Sequence, residues 1–243
     1  MKRIAICTVI LLLAGSILAQ DKVWKTRVGV SFVRTTGNSE TETLSGKCDV
    51  EGTGKGNRYI LNADALRAKG GGQTIAEKGK FAIRVERTFT GRLFGFITAA
   101  YLRDTFAGYN RRLSVGPGLG LNLILGERHK LKGRASTIYF SDVYTVPGSP
   151  TDAYATVKTA LDYEWTIKEH VSFKAQSDAA ISLEDSDKAF INGEAVLQVG
   201  INSRLAVGLA YALRYQNRVP VPQIKKTDTT FTTSLIVNLQ DTH

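Results

Sequence analysis

The chain has 243 residues, with 32 Lys and Arg against 22 Asp and Glu, a formal charge of +10. Apolar residues make up 43%, which excludes a disordered chain, and two Cys exclude a disulfide scaffold or a four-cysteine zinc site. No run is long and apolar enough for a transmembrane helix, which needs about 20 residues.

Residues 1–20 read MKRIAICTVILLLAGSILAQ. Lys2 and Arg3 form a positive start, Ile4 to Leu13 a short apolar stretch, and small residues lead to Ala19. This pattern predicts a cleaved signal peptide over 1–19, leaving 20–243 as one domain. A cut after Ser16 is the alternative. Cys7 leaves with the signal, so Cys48 remains alone and no internal disulfide can form.

From Trp24 onward the period is two, which a helix repeating every 3.6 residues cannot sustain. It predicts strands over 24–36, 41–52, 58–69, 78–89, 93–104, 111–125, 130–141, 152–166, 171–183, 190–201, 204–215 and 228–240. In the sixth, Leu113, Val115, Pro117, Leu119, Leu121 and Leu123 oppose Ser114, Gly116, Gly118 and Gly120. In the eleventh, Leu205, Val207, Leu209, Tyr211 and Leu213 oppose Ala206, Gly208, Ala210, Ala212 and Arg214. These strands exceed the ~5–6 residues usual in soluble sheets and reach the ~9–11 that a tilted strand needs to cross a bilayer.

Tight turns are expected at 90–91, 126–129, 168–170 and 202–203. Longer connections are expected at 70–77, 105–110, 142–151, 184–189 and 216–227. From the third strand on, short and long alternate, as periplasmic turns and outer loops do in membrane barrels. The connection 37–40 is short for an outer loop, and 53–57 is long for an inner turn. The aromatic residues Trp24, Tyr59, Phe89, Phe94, Trp165 and Phe173 fall at the periplasmic ends in the apolar, outward phase. Tyr101, Tyr139, Tyr154, Phe190, Tyr211, Tyr215 and Phe231 fall toward the other end. Two such bands on an apolar wall suit a lipid interface, where a ring meets both apolar chains and water.

The opposite face carries Lys47, Asp49, Glu51, Asp64, Arg84, Glu86, Arg134, Lys158, Asp162, Glu164, Lys174, Asp178, Glu194 and Arg214. So many charges cannot form the dry core of a small soluble barrel. The fold expected is all-β: a 12-stranded antiparallel up-and-down transmembrane β-barrel. A closed barrel satisfies every backbone group internally, as lipid demands. A soluble periplasmic ligand-binding barrel is an alternative.

Three blocks carry a family resemblance: Thr36-Gly37-Asn38-Ser39-Glu40-Thr41; Tyr101-Leu102-Arg103-Asp104-x-Phe106-x-Gly108-Tyr109-x-x-Arg112 followed by Gly116, Gly118 and Gly120; and Gly208-Leu209-x-Tyr211 with Lys226-Thr227-Asp228-Thr229. They resemble the YdiY-type family of salt-induced outer-membrane proteins (domain of unknown function family 481), over roughly Trp24 to Leu239. The resemblance implies the outer membrane of a Gram-negative-type bacterium and brings no catalytic residues to carry over. Many outer-membrane barrels end in an aromatic residue read by the insertion machinery. This chain departs from that pattern and ends Leu239-Gln240-Asp241-Thr242-His243.

The charged face is read as lining a lumen, either a narrow channel for small solutes or ions or the closed interior of a structural barrel. Lys158 and Asp162, with Lys174 and Asp178 on the next strand, read as a ladder of alternating sign. Asp162 and Glu164 read as members of ion pairs rather than an acid–base couple. His129 and His170 fall in periplasmic turns, with no nucleophile arrangement beside them. A barrel-embedded lipid-modifying enzyme is therefore a secondary reading. Glu184-Asp185-x-Asp187 lacks the glycine and distal glutamate of an EF-hand loop and reads as a solvated acidic loop. Gly116-Pro117-Gly118-Leu119-Gly120 opens no helix, so it is no phosphate loop, and its glycines read as permitting barrel curvature. No cofactor and no nucleic-acid partner are expected. Lys55, Arg58, Arg87, Arg92, Arg128, Lys130, Lys132, Lys168 and Arg204 read as a basic periplasmic rim facing lipid head groups. Arg111, Arg112, Lys225 and Lys226 are available to lipopolysaccharide.

Overall fold

The computed structural model describes residues 23–35, 41–219 and 225–240. The expected signal peptide, the 37–40 connection and the C-terminal residues 241–243 lie outside the described residues. Twelve strands follow in chain order: β1 Val23–Thr35, β2 Thr41–Gly54, β3 Asn57–Gly70, β4 Gln73–Thr88, β5 Leu93–Asp104 and β6 Tyr109–Leu125, then β7 His129–Tyr144, β8 Asp152–Lys168, β9 Val171–Ser182, β10 Ala189–Gly200, β11 Leu205–Gln216 and β12 Thr227–Gln240. Each pairs antiparallel with its sequence neighbours, and β1 pairs with β12, closing the barrel.

Several strands, β4 and β7 most of all, run longer than the alternation suggests, while β1, β5, β10 and β11 have the expected length and β9 ends one residue early. Residues 70–77 are not an outer loop. Gly71 and Gly72 alone connect β3 to β4, both at positive φ (56° and 78°). A two-residue hairpin of this hand needs positive φ at both central positions, and glycine takes it without steric cost. Short and long connections therefore do not alternate without exception. At the opposite end of the barrel the same geometry recurs at Lys55 (φ 44°) and Gly56 (φ 79°), so 53–57 is a tight turn rather than a long one. At the β3–β4 end of the barrel, the connection expected at 105–110 shortens to 105–108, while 145–151, 183–188 and 217–226 are long.

One phase of each strand forms an exposed apolar wall. Leu119 is 57% exposed, Leu161 50%, Leu209 40%, Leu235 50% and Phe231 68%. Soluble proteins bury such side chains. A continuous exposed belt of them around a closed barrel matches a hydrocarbon environment. Cross-strand register then fixes the other phase. Lys47 pairs with Asp64, Asp64 with Lys80, Arg84 with Thr98, Asp162 with Gln176, and Arg214 with Asp228.

Candidate functional site: the barrel interior

Several contacts reach between strands that are not neighbours in the sheet, three of them hydrogen bonds or ion pairs to β10 or β11. Lys47 Nζ lies 3.5 Å from Glu194, joining β2 to β10. Arg214 Nη1 lies 3.2 Å from Asp104, joining β11 to β5. The Tyr109 hydroxyl donates to Gln216 at 3.1 Å, joining β6 to β11. In a closed barrel such strands can be bridged only across the interior. The same phase holds three polar tiers.

The tier nearest the β2–β3 turn is a compact network on β2–β8. Arg58 Nε donates to Glu51 at 2.7 Å, and its Nη1 reaches Glu86 at 3.4 Å. Arg84 Nε donates to the other Glu86 oxygen at 2.9 Å, and Arg134 pairs with Asp162 at 2.6 Å. Arg58 is therefore not a rim residue. It pairs with Glu86, directly opposite it in register, and with Glu51, one diagonal step away on β2. Lys132 shares the phase of Arg134 and lies opposite Asp162.

Phe94 belongs to this tier and not to the outward aromatic band. It is 4% exposed, Phe96 beside it is 7% exposed, and the two rings lie 6.3 Å apart. The glycine row accounts for their position. A Cβ at Gly120 would fall 2.1 Å from Phe94 Cζ, and one at Gly118 would fall 2.3 Å from Phe96 Cζ. A Cβ at Gly116 would fall 1.9 Å from the Thr137 carbonyl oxygen. The three glycines clear space for two rings and for the close approach of β7.

The middle tier is more open. Lys158 pairs with Asp178 at 3.1 Å and Lys174 with Glu164 at 3.6 Å. Asn192 donates to Asp178, and Asn62 donates to Asp49, each at 2.7 Å. The four-residue ladder is thus differently partnered: Asp162 belongs to Arg134, and Glu164 to Lys174. Asp64 lies between Lys47 and Lys80 in register.

The outer tier is built by the Arg-Asp-x-Phe-x-Gly-Tyr-x-x-Arg block. Asp104 accepts the Ala107 N–H at 3.1 Å, and Gly108 at φ 80° turns the chain into β6. Arg112 is not available to lipopolysaccharide. Its Nε and Nη2 donate to the two Asp142 oxygens at 2.8 and 2.6 Å, and Nη2 also donates to Tyr154 at 2.8 Å. The guanidinium carbon lies 3.9 Å from the Tyr109 ring centroid, 4.9 Å from that of Phe190 and 5.0 Å from that of Phe140. Asp142 has no exposed area and Tyr154 is 2% exposed. Tyr154 and Phe190 therefore leave the outer lipid-facing band, since both pack around this arginine. Above it, Asp152 accepts from Lys188 at 2.7 Å and from Tyr144 at 2.6 Å. These groups, with Arg218 and Val219, line a cavity of about 360 Å³.

Sequence reasoning missed Phe96, Asp142, Tyr144, Asp152 and Lys188. Parity was the available signal for the acids: Asp142 shares the phase of Arg134, and Asp152 that of Lys158. Elsewhere, Asp185 of the acidic loop pairs with Arg218, and the Glu184 carboxylate accepts the Ala155 N–H at 3.2 Å. His129 stacks against Trp165, and its Nδ1 lies 2.8 Å from the Tyr163 hydroxyl.

Among solved structures, an outer-membrane channel from Pseudomonas putida F1 is similar to this chain. It has a TM-score of 0.50 at 8% identity, covering 90% of this chain and 95% of that one. The NanC porin gives 0.48 at 11% identity, over 88% and 97%. The KdgM porin, solved with disordered oligogalacturonate, gives 0.42 at 7%, over 91% and 99%. At such identities the likeness shows the fold, that of an outer-membrane barrel. No curated protein sequence matches the chain. A family model described as "Protein of unknown function, DUF481" matches residues 28–239, and the chain belongs to that family.

Proposed function

We propose that the chain is an outer-membrane channel whose charged face lines a narrow, hydrated lumen for small hydrophilic solutes or ions. The observation that carries this reading is the exposure of the Lys47–Glu194 bridge, whose side chains are 44% and 33% exposed. A pair that joins opposite walls and still meets water lies in a wet interior. Lys158 and Asp178 support it at 31% and 25%. The sealed pairs contrast with these: Glu86 keeps 7% of its side-chain area and Asp142 none.

The open sector coincides with small inward-phase side chains on one arc, namely Ala210, Ala212 and Thr232, with Gly29 and Ser31 beyond them. Twelve strands give a circumference wider than eight-stranded barrels fill with side chains and narrower than that of 16-stranded porins. The bulky arc from β4 to β8 then narrows the path instead of closing it. Fixed charges of both signs along such a path sort ions by local potential. The exposed apolar belt supports placing the barrel in lipid, and the outer membrane of a Gram-negative-type bacterium is part of the same reading.

The test is single-channel recording of refolded protein in planar bilayers. Discrete, small conductance steps are expected. Protein that inserts fully, judged by heat-dependent gel mobility, and never conducts would favour a closed structural barrel sealed by the Arg112 tier.

A further inference from the structure

The seam that closes the barrel is only half paired. β1 makes thirteen residue pairs with β2, from Val23–Thr53 to Thr35–Thr41. With β12 it makes six, from Lys25–Gln240 to Val30–Leu235. β12 meanwhile pairs with β11 from Val237 to Thr227. Among the described residues, Ser31–Thr35 of β1 and the Thr230–Ser234 stretch of β12 that the register would set against them therefore pair on one edge only. The six pairs carry no register shift, and the same register continued would bring Ser31 to Ser234 and Phe32 to Thr233. The pairing stops in the outer half of the wall.

An unpaired strand edge facing hydrocarbon is costly, because its N–H and C=O groups find no partner in lipid. Two features around the gap indicate what could partner it. The inward phase here is small and hydroxylic at Ser31, Thr230, Thr232 and Ser234, with the charged Asp228 beside Arg214 farther along β12. Asp228 and Thr230 are exposed although they share that phase. The outward phase carries exposed apolar side chains on both sides, Phe32 at 62%, Leu44 at 55% and Phe231 at 68%, with Thr229 and Thr233 on either side of Phe231 along β12. A polar, hydrogen-bonding interior thus meets an apolar exterior through a slot of open backbone.

We propose that this seam is a lateral portal between the barrel interior and the outer leaflet, and that it takes an amphiphile. The polar head enters the slot, exchanging hydrogen bonds with the open strand edges and with Ser31, Thr232 and Ser234. The Lys47 and Arg214 side chains, each 44% exposed, lie on the inward phase of β2 and β11, the strands flanking the seam pair, and favour an anionic head. The acyl chain stays outside against Phe32 and Phe231, so no apolar group has to cross the charged interior.

The experiment uses full-length protein in a Cys7→Ser/Cys48→Ser background, purified and reconstituted in phospholipid vesicles. The probe is a lysophosphatidylglycerol carrying a diazirine on its head group, photolysed and mapped by mass spectrometry. Adducts are expected on Ser31, Thr232 and Ser234. Adding Ser31→Cys and Ser234→Cys and oxidising them bridges the slot. Adducts on Thr232 should then fall by at least about tenfold and return on reduction, as expected for a site reached only through local opening. Adducts confined to the outward residues Phe32 and Phe231 in both redox states would overturn the portal.

A second measurement decides the matter if the disulfide does not form. In the wild type, alternate β12 amides of 230–234 should exchange with deuterium at least about tenfold faster than those of 235–237. Equal protection along β12 would overturn the open seam. Neither readout is conductance, so a barrel that fails as an ion channel still passes or fails this test on its own.

Discussion

Replacing Arg112 with Met tests whether the outer tier holds the barrel together. The guanidinium makes two hydrogen bonds to Asp142 and one to Tyr154, inside a collar of Tyr109, Phe140 and Phe190. Methionine keeps most of the apolar stem contact and removes the charge. Asp142, with no exposed area, is left with only the Tyr154 hydroxyl, 2.9 Å away. Breaking a buried pair from one side costs ~3–5 kcal/mol, because the remaining charge stays desolvated. The retained hydroxyl argues for the lower end, about 3 kcal/mol. Removing both charges, in Arg112→Met/Asp142→Leu, should recover most of this and leave a cost within about 1 kcal/mol of wild type. The assay is reversible urea unfolding of the barrel in phospholipid vesicles, followed by Trp24 and Trp165 fluorescence. A single variant costing less than about 1 kcal/mol would refute the argument, since a charge that is truly desolvated cannot be orphaned so cheaply. So would a double variant worse than either single one.

The glycine row should respond in a set order. Gly116→Ala meets the Thr137 backbone and should cost more than Gly120→Ala, which meets the end of the Phe94 ring; overpacking of this kind costs ~1–3 kcal/mol. Phe94→Ala should rescue Gly120→Ala and not Gly116→Ala in the same unfolding assay, and rescue of both would show that the ring is not what the glycine accommodates. On the outer wall, Leu209→Arg should cost ~2–4 kcal/mol near the midplane, whereas Arg at its neighbour Ala210 should cost far less. Equal costs at the two positions would overturn the face assignment. Lys158→Gln/Lys174→Gln should raise the cation preference of the channel in planar bilayers, because Asp178 and Glu164 lose their partners while keeping water. Unchanged selectivity would mean that neither pair borders the conducting path.

The architecture was legible because lipid imposes a rule on every strand. Each residue facing hydrocarbon must be apolar, and its neighbours along the strand must not be, so alternation persists through Leu119, Leu161, Leu209 and Leu235 alike. The turns were less legible. Gly70-Gly71-Gly72 reads equally as a flexible loop or as a two-residue hairpin, and only the pairs Lys69–Thr74 and Gly70–Gln73, formed beyond a register shift after Ala68–Ala76, decide between them. Aromatic residues were the least legible, because an aromatic side chain is acceptable on both faces. Phe94 and Tyr101 lie on one strand at opposite parity, so they cannot share a face, and parity alone places Phe94 with Thr98 and Ala100. What parity cannot supply is the reason the ring fits there. That reason sits one strand away, in Gly118 and Gly120.

The interior partners follow the same logic at longer range. Neighbouring-strand pairs such as Arg134–Asp162 join residues 28 apart in sequence, within one hairpin, and alternation with register can bring them close. Lys47–Glu194 spans 147 residues and Arg214–Asp104 spans 110. Such contacts depend on the diameter of the closed barrel and on how far strands on opposite walls are staggered. Neither quantity is written in any local stretch of the chain. A β-barrel therefore shows its wall in its sequence and conceals what fills its bore. Arg112 illustrates this: beside Arg111 it reads as a surface charge, and it becomes the centre of a buried tier only when β6, β7, β8 and β10 converge on it.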